Sequence, residues 1–147
     1  MTHNEFIRNI DTFINVLETE GSLIVEEMAT VSISLIRNRI QEGEGIPGKA
    51  YSSKYKAYRE KKYNFSNKNY IITLTGRMWN GIHVKEVIKR GGLFIARVGG
   101  SDEEVENKIR WNIERLGFNF LQPNQDELLE IYDIPQRRLT ALVKKWL

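Results

Sequence analysis

The apolar positions of the chain recur first at helical spacing. Phe6, Ile10, Phe13 and Leu17 follow one another at intervals of four, three and four, and Ile7 and Ile14 widen the stripe. This pattern predicts an amphipathic helix over residues 4–18. Glu20-Gly21-Ser22 reads as a break, with Ser22 a candidate N-cap for the next helix. Residues 23–41 form that helix. Ile24, Met28, Val31 and Leu35 make one stripe and Ile33, Ile36 and Ile40 an adjacent one, so its apolar face is broad enough for burial on more than one side. Gly43, Gly45, Pro47 and Gly48 then end the helix and open a loop.

The middle of the chain changes period. Residues 51–63, YSSKYKAYREKKY, read as a short basic helix with Tyr51, Tyr55 and Tyr58 on one face and Lys54, Lys56, Arg59, Lys61 and Lys62 around them. Asn64–Asn69 is a polar loop, and residues 43–69 together are expected to be flexible in the monomer. Tyr70–Leu74 is rich in β-branched, aromatic and aliphatic residues and predicts a strand, followed by a turn at Thr75-Gly76 and a short helix or loop through Asn80. Two further apolar runs, Val84–Ile88 and Leu93–Val98, flank Arg90-Gly91-Gly92 and predict a hairpin over 83–98 that pairs with the strand at 70–74.

The remainder is helical. Ser101 to Glu104 reads as a capping box for a helix over 102–116, carrying Val105, Ile109, Trp111, Ile113 and Leu116 and closed by Gly117. Asn124 to Glu127 reads as a second cap for a helix over 124–132. Asp133-Ile134-Pro135 is expected to break or kink the chain before a last amphipathic helix over 137–147 with Leu139, Leu142, Val143 and Trp146 apolar. There is no internal repeat.

Length and composition fit this pattern without narrowing it much. A chain of 147 residues, 41% hydrophobic and 28% charged, is expected to form one globular domain over 1–147, with a helical extension at about 135–147. No apolar run approaches the roughly 20 residues of a membrane span, and the N-terminus has no basic segment followed by an apolar one, so neither a membrane partner nor a signal peptide is expected. The absence of cysteine excludes disulfides and thiolate chemistry.

Charge adds one feature. Residues 1–50 hold four Lys/Arg and eight Asp/Glu, residues 51–100 hold eleven and two, and residues 101–147 hold seven and nine. A basic middle between acidic ends suits either a polyanion or the acidic part of an identical neighbour.

The residues do not assemble a catalytic constellation. His3 and His83 are isolated and have no ligand partner at zinc-binding spacing. Gly43 to Lys49 matches the first part of a phosphate-binding loop, G-x-x-x-x-G-K, but Ala50 stands where Ser or Thr is needed. The segment also follows a helix, where the motif requires a strand, and Pro47 removes an amide from the cradle. No cofactor, metal or catalytic residue is therefore assigned, and the chain is not expected to be an enzyme. The basic segment 51–100, which includes the tyrosine-rich stretch at 51–63, keeps a nucleic-acid-binding module open as an alternative.

Three short elements in fixed order carry a resemblance: ITLTGRMWNGI, a hairpin ending IARVGG, and a helix ending NKIRWNIERLGFNFL before the acidic PNQDELLEIYD. Over roughly residues 25–133 this order is similar to the tail-completion and virion-morphogenesis proteins of tailed bacteriophages. Those proteins have an L-T-x-T-G-x-M/L element before the hairpin and an aromatic stretch before an acidic helix. Members commonly have Arg-Pro-Phe-Leu where this chain has Phe118-Asn-Phe-Leu121, and the segment 137–147 extends past the matched region.

The resemblance implies an α+β subunit, a small antiparallel sheet with a β-hairpin packed against several helices. It implies a structural virion protein that closes with itself into a ring, a hexamer or dodecamer, at the head–tail junction or the head-proximal end of the tail. Its partners would be neighbouring neck, portal-adaptor or tail-tube proteins, with genomic DNA passing through the lumen without sequence specificity. Such a protein resides in the virion, and in the host cytoplasm during assembly. A head–tail adaptor or stopper ring is the close variant. The candidate interface residues are Arg77, Trp79, Lys89, Arg90, Gly91 and Gly92. The hairpin tip can insert into a neighbour, and Trp and Arg are the side chains that most often carry interface energy.

Overall fold

The computed structural model describes residues 2–42, 46, 51–64 and 76–146. The fold is α+β, with five α-helices and one two-stranded antiparallel hairpin among the described residues. In order these are α1 (His3–Arg37), a π-helical turn (Asn38–Glu42), α2 (Ser53–Tyr63), α3 (Arg77–Asn80), β1 (Ile82–Arg90), β2 (Leu93–Gly100), α4 (Glu103–Leu116) and α5 (Gln125–Trp146). The predicted strand at 70–74 lies outside the described residues, as do residues 43–45, 47–50 and 65–69 of the segment 43–69.

The chain divides into two compact units. One comprises residues up to 32, Val84–Val98 and Asn124–Leu147, and the other Ile33–His83 and Gly99–Pro123. The first will be called the hairpin unit and the second the tryptophan unit.

In the hairpin unit the expected break at residues 20–22 does not occur, and α1 runs through it. Gly21 is there for packing. A Cβ at this position would lie 2.5 Å from Phe94 Cε2 on β2, so the missing side chain is what lets the hairpin approach the helix. Lys89 Nζ donates to Glu18 Oε1 at 2.7 Å, one turn away on α1. Thr2 and Glu5 cap the start of α1 reciprocally, Thr2 N donating to Glu5 Oε2 at 2.6 Å and Glu5 N to Thr2 Oγ1 at 3.3 Å.

The hairpin itself forms where predicted. Gly91 and Gly92 have φ of +57° and +80°, the sign that a two-residue type I′ turn requires and that only glycine adopts readily. That turn places Arg90 opposite Leu93, Lys89 opposite Phe94 and Glu86 opposite Arg97, and Arg97 Nη1 donates to Glu86 Oε1 at 2.8 Å.

The expected break at Pro135 is also absent. α5 continues from Gln125 to Trp146 with Pro135 inside it. Proline removes one helical hydrogen bond and crowds the preceding turn. Contacts on both sides hold the helix through it: Ile131 and Ile134 are buried, and Arg138 donates to Glu27 Oε2 of α1 through Nε at 2.9 Å and Nη2 at 2.6 Å. The start of α5 is capped as predicted, Glu127 N donating to Asn124 Oδ1 and Asn124 N to Glu127 Oε2, both at 2.9 Å.

The tryptophan unit holds the larger core. Ile36, Ile40, Ile46, Met78, Trp79, Ile82, Val105, Ile109, Leu116 and Phe120 form one buried cluster. α4 spans the predicted range, but its N-cap is Asp102, whose side chain accepts from Val105 N, rather than Ser101. Gly117 closes it in the left-handed conformation. In neither unit is any helix of the described residues long and apolar enough to cross a membrane.

Candidate functional site

Four of the six candidate interface residues sit at the hairpin tip. Arg90, Gly91 and Gly92 are exposed. Lys89 is tied down by Glu18 and by the Phe94 ring, 5.7 Å from its ammonium. The hydrogen bond from Lys89, and after it the lysine charge, holds the Glu18 carboxyl below its ordinary pKa.

Arg77 and Trp79 belong to the other unit. Arg77 Nη2 lies 2.8 Å from Glu104 Oε2 and 3.6 Å from Asp102 Oδ2, so its charge is engaged at the N-terminus of α4. Glu104 is held below its usual range chiefly by a hydrogen bond from Lys108, with Arg77 adding to it. Trp79 is corrected as a contact residue. It is 1% exposed, the largest fully buried side chain among the described residues, and meets Phe120 edge-on at 5.6 Å. An indole of this size buried in one cluster with Ile36, Ile40, Ile82 and Ile109 is core.

The tip has a sided surface. By the register of the turn, Phe94 and Ala96 face α1, and Arg90, Leu93, Ile95 and Ile88 lie on the opposite face. Leu93 at 66% and Ile95 at 39% exposure confirm that this face is uncovered. Leu93 is the most exposed large hydrophobic residue of the described chain.

A groove of about 420 Å³ lies between α1 and α5 in the same unit. Val31, Leu129 and Ile134 supply its apolar lining, and Glu27, Glu130, Asp133 and Arg137 its charges. Asp133 is paired with Arg137 one turn on, and Glu27 with Arg138. Glu130 makes no ion pair among the described residues.

α5 further carries a second apolar stripe that is not covered. Leu129, Tyr132, Leu139 and Val143 are all exposed and recur at intervals of three, seven and four, the spacing of one helix face. Splitting α5 at Pro135 hides this stripe in the sequence, because each half then shows only two of its members. The signal that exposes it is the interval of seven from Tyr132 to Leu139.

The basic helix α2 folds as expected, with Ser52 as its N-cap. Tyr51 and Tyr55 meet edge-on at 5.2 Å, and Tyr55 and Tyr58 stack at 5.9 Å. Arg59 is 2% exposed, with its guanidinium 4.4 Å from the centre of the Tyr51 ring.

No group of three or more His, Cys, Asp or Glu side chains among the described residues converges as for a metal ion. His83 Nδ1 lies 3.1 Å from the carbonyl oxygen of Gly81. Gly48 and Lys49 of the glycine-lysine loop are outside the described residues. Comparison with protein-family models, curated proteins and solved structures returns no match to this chain.

Proposed function

We propose that the chain is a structural subunit that assembles with copies of itself into a ring at the head–tail junction or head-proximal end of a bacteriophage tail. A head–tail adaptor or stopper ring is the near variant. The observation that carries the assembly is the imbalance of the hairpin unit. Its buried hydrophobic residues are Ile24, Ile131 and Ile134, whereas Phe6, Ile7, Ile14, Leu23, Leu93, Ile95, Val98, Leu129, Tyr132, Leu139 and Val143 are exposed.

Leu129, Tyr132, Leu139 and Val143 share one face of α5, and an exposed apolar stripe of this kind marks a site of association. Covering it with further copies supplies the burial the unit lacks. The location in a phage neck rests on the order of the short motifs and not on the fold.

The test is negative-stain imaging of the purified chain. Closed rings with an opening wide enough for duplex DNA support the reading, and isolated small particles at all concentrations contradict it.

A second reading, a nucleic-acid-binding module, is favoured by α2. Its Lys54 and Lys61 are exposed alongside Tyr55 and Tyr58, and it buries no apolar side chain among those described. Binding of short DNA at low salt, with affinity falling steeply as salt rises, supports that reading.

A further inference from the structure

We infer that the outer face of the hairpin tip, centred on Arg90 and Leu93, docks into the groove between α1 and α5 of a second copy, with Arg90 against Glu130 and Leu93 against Leu129. The inference rests on the reading of the chain as a self-assembling subunit and names the contact.

Three observations point to it. The first is chemistry. The tip offers a cation and an exposed aliphatic side chain as cross-strand neighbours on one uncovered face, and the groove offers a carboxylate and an exposed aliphatic side chain as neighbours on α5. Leu93 at 66% and Leu129 at 65% are the two most exposed large hydrophobic residues described. Apolar burial supplies the affinity of such a contact, and the charge pair supplies its register.

The second is charge that remains available. Lys89 is held by Glu18, Asp133 is beside Arg137, and Glu27 is held by Arg138. Arg90 and Glu130 make no ion pair within the chain among the described residues, so both charges are available to a partner.

The third is placement. The tip is anchored near Glu18 of α1, and the groove opens at Glu27 and Val31. Nine to thirteen residues of helix separate them, roughly 14–20 Å at 1.5 Å per residue. Both surfaces lie on one body, so a tip cannot fill its own groove. A contact between two different patches on each copy is head-to-tail, and it closes into a ring when the rotation between copies allows.

The experiment is the mass in solution of four proteins at matched concentration and salt: wild type, Arg90→Glu, Glu130→Arg, and the double variant carrying both changes. All the altered side chains are exposed, and circular dichroism checks that each variant is folded. Each single reversal sets like charges against each other at every contact. It is expected to raise the concentration needed for assembly by on the order of tenfold or more, and the double variant is expected to restore it.

If wild type assembles and both single variants assemble equally well, the docking contact is wrong and the ring reading stands. If the single variants fall apart but the double variant does not recover, the two residues do not face each other and the assignment fails. If wild type itself stays a monomer, both readings fail. If a reversal unfolds the subunit, Arg90→Ala and Glu130→Gln with Leu93→Ser and Leu129→Ser replace it. Unchanged assembly in all four of these would likewise overturn the contact.

Discussion

Gly21 of α1 and Phe94 of β2 fit one another: a Cβ on residue 21 would stand 2.5 Å from the edge of the phenyl ring. This contact seats the hairpin on the long helix. Gly21→Ala gains about 1 kcal/mol of helix propensity but forces the ring outward, at a cost of about 1–3 kcal/mol. The expected outcome in denaturant titration is a net loss. In a Phe94→Ala background the same Gly21→Ala change should stabilise, because only the propensity gain is left. Stabilisation of equal size in both backgrounds would show that the two residues are not coupled.

Trp79 organises the tryptophan unit. Trp79→Ala should cost about 3–5 kcal/mol, as for other large aromatic side chains removed from a core. Its indole nitrogen is buried without a hydrogen-bond partner among the described residues, so Trp79→Phe gives up volume while removing an unsatisfied donor. The phenylalanine variant should therefore lose far less stability than the alanine variant, and the assembly state should not depend on residue 79 in variants that remain folded.

Glu18 makes the seat of the hairpin sensitive to acid. Its folded pKa is lowered, first by the hydrogen bond from Lys89 and then by the lysine charge. A lowered carboxylate pKa contributes stability that is present above the unfolded value, roughly 4.3. It is lost as pH falls through the folded value. Glu18→Gln should lower hydrogen-exchange protection of the hairpin amides at pH 7, and the difference from wild type should shrink as pH falls below the ordinary carboxylate range. A difference that stays the same as the pH is lowered would place the effect elsewhere.

Pro135 lies inside α5, and its ring nitrogen cannot donate to the carbonyl of Ile131. Pro135→Ala supplies that donor and should raise thermal stability by about 1–3 kcal/mol. A loss of stability instead would mean that the helix needs the proline geometry for its packing on α1.

The parts of this structure that were legible in the sequence are those set by local chemistry. Gly91-Gly92 between two apolar runs gave the hairpin, Gly117 the end of α4, and Asn124 with Glu127 the start of α5. Both misread helix breaks are places where a tertiary contact overrides a local rule. Gly21 is a packing glycine, recognisable only once Phe94 is known to lie over it. Pro135 is carried through by the burial of Ile131 and Ile134 and by the pairing of Arg138 with Glu27, a residue far away in the chain.

The candidate site was half legible. The exposed tip at Arg90 followed from the turn, and Trp79 was misplaced because a tryptophan in a short motif reads the same whether it is core or contact. The groove could not be read, since it forms between Val31 and Leu129, far apart in the chain.

The central claim is that the apolar face of the hairpin unit is covered by further copies of the same chain. Native mass spectrometry of the purified protein across a concentration series tests it most directly. The account predicts one dominant species at a fixed multiple of the 17.2 kDa subunit, giving way to the subunit only on dilution or at high salt. A mass of 17.2 kDa alone, at every concentration up to the limit of solubility, would contradict it.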